Sequence, residues 1–445
     1  MKRYIVIISC LIAASAAWGK TGVSLTVYND NLALVRDVRG VEFKKGVGEI
    51  MFRDVSGQID ATSVHFKAND VELLEQNFDY DLVSPDKLLQ KYVDQRIEVV
   101  GENGDIATGT LLVSGRSGGQ IVIRQDDSSL RSLMLDKSVE IRYPSLPEGL
   151  ITRPTLRWLV DADQSGTKET EVSYLTSGLS WRADYVLVIS DKSAKADLDA
   201  WVTLENTSGT DYLDAKLKLI AGEVNRVQQA PVREMMLAAD AAFAKGGRQF
   251  EEQTFFEYHL YTMQRLTSVL DQQTKQISLF PLTSVGTKRV YEYDWRRKQD
   301  KVGVSVEFEN KEANNLGIPL PAGRVRVYQQ GDDGQEFVGE DNVDHTPKNE
   351  KVRVKVGEAF DIAVERTQTD TRRITNQVVE TDYQVKFRNH KTETVEVVML
   401  DYFWGDWKVL KSSVPAEKVS STKLEMRVNL EPEQEVILTY TIRQQ

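Results

Sequence analysis

The chain has a single cysteine, Cys10, and only four histidines, His65, His259, His345 and His390. Cys10 lies in an apolar run near the N-terminus, so removal of that run would leave no disulfide, thiolate metal site or cysteine nucleophile. The histidines show no zinc spacing, no HExxH helix accompanies them, and no cofactor is expected. Positive charge is also short. The 56 Lys and Arg stand against 67 Asp and Glu, a formal net charge of −11, which leaves no electrostatic footprint for nucleic acid. Past the N-terminal run no window reaches the apolar length of a membrane-crossing helix. Helical crossover units and fixed-period repeats are missing too.

The N-terminus carries the features of an export signal. Met1-Lys2-Arg3 is basic, Tyr4 to Ala17 is apolar, and Ala17-Trp18-Gly19 places small residues just before Lys20. The expectation is a signal peptide over 1–19 and a mature protein that is periplasmic or extracellular and not integral to the membrane. Ile7-Ile8-Ser9-Cys10 has the look of a lipoprotein box. Too few residues precede it for a proper apolar region, so lipidation is the lesser alternative.

What the chain does have is alternation. Between Ser180 and Val227 three sets are spaced by two: Trp181, Ala183, Tyr185, Leu187 and Ile189; Leu198, Ala200, Val202 and Leu204; and Leu213, Ala215, Leu217 and Leu219. Turns are expected at Asp191–Asp197 and Asn206–Thr210. Similar short strands fill residues 20–83, an N-terminal β region. Ser84-Pro85-Asp86-Lys87 opens one helix, with Ser as N-cap, Pro at the first position and Asp against the positive end of the dipole. It should run to about Val93 and turn Leu88, Leu89 and Tyr92 inward. Five short strands follow, so residues 84–148 are expected to form a small SH3-like barrel with that helix. Residues 149–365 are read as a central β-sandwich, with strands at Thr254–Met263, Ile277–Phe280 and Arg289–Trp295. Within it, 228–252 is a mobile insertion where no strand pattern continues. Residues 366–445 are read as an immunoglobulin-like sandwich. The fold class is therefore all-β and multidomain, built from antiparallel sandwich modules.

Several separated blocks carry a resemblance. They are Tyr174-Leu-Thr-Ser-Gly-Leu-Ser-Trp-Arg-Ala-Asp-Tyr185, Ala221-Gly-Glu-Val-Asn-Arg226, Phe256-Glu-Tyr-His-Leu-Tyr261, and Gly317-Ile-Pro-Leu-Pro-Ala-Gly-Arg324 running on to Gly339-Glu-Asp-Asn-Val-Asp-His345. From about Leu156 onward the chain resembles an uncharacterised bacterial β-rich domain family, the one shared with the C-terminal part of mucoidy inhibitor A. Val27-Tyr-Asn-Asp-Asn-Leu-Ala-Leu-Val-Arg36 is similar to what precedes this domain in exported relatives. The resemblance implies a β-rich extracytoplasmic protein and no particular chemistry.

Local patterns that suggest chemistry each meet a plainer reading. Gly115-Arg116-Ser117-Gly118-Gly119 has the form of a nucleophile elbow. That elbow needs a following helix, whereas strand residues Ile121-Val122-Ile123 come next, as in a Gly-rich hairpin. Asp161-Ala-Asp163-Gln-Ser165-Gly166 starts like a calcium loop, but Val172 stands where the bidentate Glu belongs, so a polar turn is expected. His345 sits beside Glu340, Asp341 and Asp344, a turn able to bond locally or to hold a metal. Trp295-Arg-Arg-Lys-Gln-Asp-Lys301 is a basic patch, either a solvated hairpin tip or a dock for an anionic envelope polymer.

The densest aromatic cluster is Tyr402-Phe403-Trp404-Gly405-Asp406-Trp407. Its rings either cap a sandwich core or form a platform for a sugar or a partner. Tyr402, Phe403, Trp404 and Trp407 are the candidate interaction surface. With no nucleophile, base and oxyanion-donor constellation in view, the expected function is noncatalytic. The chain is read as an interaction or structural protein of the bacterial envelope, with an envelope protein or a cell-surface polysaccharide as partner. The alternative is a polysaccharide-binding protein or a glycan-active enzyme using two carboxylates from distant strands.

Overall fold

The computed structural model describes residues 22–101, 104–115, 119–135, 139–147, 149–190, 193–222, 250–255 and 258–445. The signal peptide expected over 1–19 lies outside these residues. So does the insertion expected over 228–252, apart from 250–252, which begin the strand Phe250–Phe255.

The fold is all-β with several sheets, one α-helix among the described residues, and no closed barrel. Its main layer is a thirteen-stranded sheet that contains the hairpin of Leu179–Ser190 and Ser193–Asn206. An eight-stranded sheet faces it. There Gly22–Tyr28 lies parallel to Tyr212–Ala221 and antiparallel to Ala33–Phe43, which in turn pairs with Gly166–Thr176. Inward residues of both sheets, such as Leu25, Val35 and Tyr174 on one and Ala183, Tyr185 and Val202 on the other, form one core. Trp158 joins it from a three-stranded sheet in which Thr155–Ala162 is flanked by Gly46–Arg53 and Val71–Asp79. Strands from residues 22–79 and from 155–263 thus share sheets and a core.

The alternation fixes the inward faces because neighbouring side chains point to opposite sides of a strand. Trp181, Ala183, Tyr185, Leu187 and Ile189 are all buried. Leu213 departs from the expectation: it is 51% exposed, while Tyr212 is 2% exposed. The pairing register shifts between Tyr212 and Ala215, and Asp214 takes φ +46°, so a bulge reverses the phase there. The turn expected at Asp191–Asp197 is shorter, since the second strand of the hairpin begins at Ser193. Thr254–Met263 is a hairpin of two strands, Phe250–Phe255 and Tyr258–Met263.

The helix Pro85–Lys91 is capped as its sequence requires, with the Lys87 N–H donating to the Ser84 hydroxyl at 3.3 Å. Leu89 and Tyr92 are buried against Ile97, Leu111, Ile121 and Ile123 of a five-stranded sheet. That sheet is open, where a closed barrel was expected. Its edge strands, Leu130–Met134 and Glu140–Arg142, are short and do not pair with each other, and the helix covers the apolar face instead.

Three strands of the thirteen-stranded sheet run on into a further core. Gln273–Asp294, Lys301–Glu309 and Lys351–Arg373 each contribute residues to both the first core and this one. The expected strands Ile277–Phe280 and Arg289–Trp295 are therefore parts of one continuous strand through Asp294. Beyond the junction the sheet curls until Tyr440 and Ile442 near one end share a core with Leu424 and Met426 near the other. The expected boundary at 365/366 falls within Lys351–Arg373.

Candidate functional site

Strand Gln273–Asp294 pairs in parallel with Val395–Tyr402, with Asp294 opposite Leu400. Parallel neighbours leave the sheet at the same end. The basic segment Trp295–Lys301 and the aromatic segment Tyr402–Trp407, far apart in sequence, therefore emerge side by side.

Two reciprocal bonds lock them together. The Trp295 indole Nε1–H donates to Asp401 Oδ1 at 2.5 Å, and the Tyr402 hydroxyl donates to Asp294 Oδ2 at 3.3 Å. Asp294 also orders the basic turn, accepting from the Arg296 N–H at 3.1 Å through its side chain and from the Arg297 and Lys298 N–H groups through its carbonyl. Asp401 is fully buried. Besides the Trp295 bond it accepts from Arg366 Nη2 and from the Tyr402 N–H, each at 2.9 Å, and from the Tyr440 hydroxyl. The Arg366 guanidinium lies 4.6 Å from the Trp295 ring centre and 4.3 Å from that of Tyr383, and Tyr383 stacks on Tyr440 at 5.1 Å. Burial works against the Arg366 charge, but Tyr440 and Asp401 more than offset it and its pKa is raised. Burial, then the Asp401 charge, pushes the Tyr440 hydroxyl up, so it remains a proton donor.

The four aromatic residues divide. Phe403 and Trp407 are buried, 5.3 Å apart, and belong to the core. The Trp407 Nε1–H donates to the Ser421 carbonyl at 2.5 Å, and Lys418 Nζ sits 4.2 Å over its ring. Tyr402 is half-buried, and burial together with the Asp294 charge raises its pKa. Trp404 is 61% exposed. Arg296 lies 3.3 Å from the Tyr402 ring centre and 5.7 Å from that of Trp404, so cation and rings form one exposed, pre-arranged surface.

A groove leads away from this surface. A hollow of about 370 Å³ beside Tyr402 is lined by six basic and four acidic side chains. A larger one of about 720 Å³ shares Glu292, Arg353 and Lys423 with it. Most of the groove's carboxylates are paired. Arg353 reaches Glu292 and Glu307 at 3.0 Å, and Arg427 reaches Glu396 at 3.1 Å and Glu425 at 2.6 Å. Burial of Glu307 opposes ionisation, but hydrogen bonds from Arg353 and Lys351 outweigh it and hold its pKa below the usual range. The sequence gives no warning of this groove, because its charges come from the outward positions of strands that look ordinary one at a time.

The other sequence candidates lie elsewhere, except that Asp341 from the His345 cluster lines the smaller hollow, where it accepts the Lys355 N–H at 2.7 Å. Gly115 and Gly119 flank a hairpin between antiparallel strands Ile106–Val113 and Gln120–Arg124, and residues 116–118 lie outside the described set. Ser165 of the acidic turn accepts the Lys45 N–H at 2.8 Å. His345 Nδ1 accepts the Ala322 N–H at 3.1 Å, a bond to a segment 23 residues earlier rather than within its own turn. Among the described residues, no group of three or more His, Cys, Asp or Glu side chains is placed to hold a metal ion.

Fold and surface together define an all-β protein whose curled sheet presents a cationic and aromatic end. No protein-family model matches the chain, and no curated protein matches it.

Proposed function

We propose that the chain is an exported, noncatalytic interaction protein of the bacterial cell envelope that engages its partner through Tyr402, Trp404 and Arg296. The observation that carries this reading is the exposed Trp404 ring, set beside Arg296 on a turn fixed by the buried Asp401 network. An exposed aromatic held in one geometry gives up little entropy on binding, which is what an anchor needs. Export rests on the basic and apolar pattern of residues 1–19 and on the resemblance to an exported β-rich family. Among the described residues, no helix is long and apolar enough to cross a membrane.

The groove chemistry favours binding over glycan hydrolysis. A general acid for glycoside cleavage must keep its proton near neutral pH, whereas, against burial, Arg353 and Lys351 shift Glu307 the other way and Lys298 does the same to Glu358. The test is photo-cross-linking in intact cells from a probe at Lys408, beside the aromatic turn, followed by mass spectrometry. A reproducible envelope component should be captured, and its yield should fall about tenfold in Trp404→Ala. Capture that is indifferent to Trp404→Ala and Arg296→Ala would overturn the assignment of the surface.

A further inference from the structure

The two hollows adjoin, with Glu292, Arg353 and Lys423 in the walls of both, and the smaller one reaches Tyr402. Much of their lining lies on the outward face of strands whose opposite faces fill the C-terminal core: Glu292 and Val398 face out where Tyr293 and Val397 face in. Two adjoining hollows on a sheet face offer a linear polymer contacts that a compact ligand filling one of them would not reach. Their walls carry cationic donors and carboxylate acceptors together, the pairing that sugar hydroxyls use, since each hydroxyl both donates and accepts. Around Tyr402 the balance is cationic, six side chains to four. Three of those cations, Lys301, Lys355 and Lys423, form no ion pair among the described residues. On a chain of net charge −11, this local surplus of cations lowers the repulsion a polyanion meets there.

We infer that the groove binds an extended acidic polysaccharide. Its carboxylates pair with Lys301, Lys355 and Lys423, and a sugar ring stacks on Trp404. A sugar ring presents an apolar C–H face to an aromatic and hydroxyls to the flanking charges, which matches Trp404 beside Arg296. This ligand class rests on the proposed role as a binding protein and narrows it.

The experiment is calorimetric titration of the purified protein with an oligomer of galacturonic acid, set against a neutral cello-oligomer and polyglutamate. Saturable binding of the galacturonate oligomer is expected, weakening as ionic strength rises and much stronger than binding of either control. Lys355→Gln and Lys423→Gln break no ion pair and should leave the thermal midpoint unchanged. Each should weaken binding about threefold to tenfold, and Trp404→Ala should weaken it about tenfold. Absent binding, equal affinity for polyglutamate, or affinity untouched by these substitutions would each overturn the inference. If galacturonate fails while a protein is still captured beside Trp404, the glycan assignment falls alone and the binding role stands.

Discussion

Asp401 is the residue on which the exposed surface depends. Its carboxylate takes bonds from Trp295, Arg366, Tyr402 and Tyr440, three of which lie far from it in the sequence. Removing one partner of a buried ion pair leaves the other charge uncompensated and costs about 3–5 kcal/mol. Asp401→Asn should therefore lower the unfolding free energy by that amount in urea titration. Tyr440→Phe removes one bond to a charged acceptor and should cost less, about 1.5–3 kcal/mol. Equal losses, or none, would mean that Asp401 does not organise the cluster. The sequence displays Tyr402 to Trp407 plainly, but nothing near Asp401 marks its role, because the partners at 295, 366 and 440 become neighbours only once the sheet curls. Buried tyrosines set a second expectation. Burial pushes Tyr212 and Tyr293 up to about 12, and raises Tyr174 and Tyr185 as well. A hydroxyl raised in the folded state contributes stability that is complete below its unfolded value near 10 and is lost as pH climbs through the folded value. Unfolding free energy should hold steady up to about pH 10 and fall steeply between there and 12, while the share of tyrosinate absorbance that belongs to these four buried residues should appear only as the chain unfolds. The full tyrosinate amplitude reached while the fold is still intact would contradict this.

Turn and strand behaviour follow from single positions within each element. Gly405 takes φ +75°, and a Cβ there would stand 2.7 Å from the Gln445 carbonyl oxygen. The same turn pairs the Gln445 N–H with the Asp406 carbonyl at 2.8 Å. Gly405→Ala should cost about 1–3 kcal/mol and displace Trp404. Thermal unfolding and cross-linking yield should drop together, and a drop in neither would show that the turn tolerates a side chain. Period-two spacing made most strands legible, including Arg96–Val100 and Gln120–Arg124, and cap chemistry revealed the helix from Ser84 and Pro85. The long strand Gln273–Asp294 was not legible as one element, because Pro281 and Gly286 look like breaks. In the structure the pairing partner changes at this point, from Ser193–Asn206 up to Gly286 to Lys301–Glu309 from Thr287 onward. The parallel pairings of Gly22–Tyr28, Leu179–Ser190 and Gln273–Asp294 were equally hidden, since their partners lie about a hundred or more residues away and alternation carries no information on direction.

Those long strands decide how the protein should come apart. Gln273–Asp294 buries Ile277 and Val285 in the first core and Tyr291 and Tyr293 in the second, while Lys351–Arg373 buries Val352 and Val354 in the first and Ile362 and Val364 in the second. Neither core can open without exposing strands the other needs. They should unfold as one cooperative unit, although the residues that build them are spread over most of the chain. The helix and its open five-stranded sheet are placed differently. Their core of Leu89, Tyr92, Ile97, Leu111, Ile121 and Ile123 includes no residue of the other two, and among the described residues the sheet pairs with no strand outside itself. Backbone bonds between Val83 and Ile151 and between Ile151 and Asp81 tie the chain entering this unit to the chain leaving it. A small core buries less apolar surface for each residue ordered, so this unit should open first. Native-state hydrogen exchange gives the check. Amides of Val202 and Leu204 in the first core and of Val385 and Phe387 in the second should exchange with one shared opening free energy. Those of Ile97, Leu111 and Ile123 should exchange with a lower one. Separate values for the two large cores would mean that the junction strands bend as hinges.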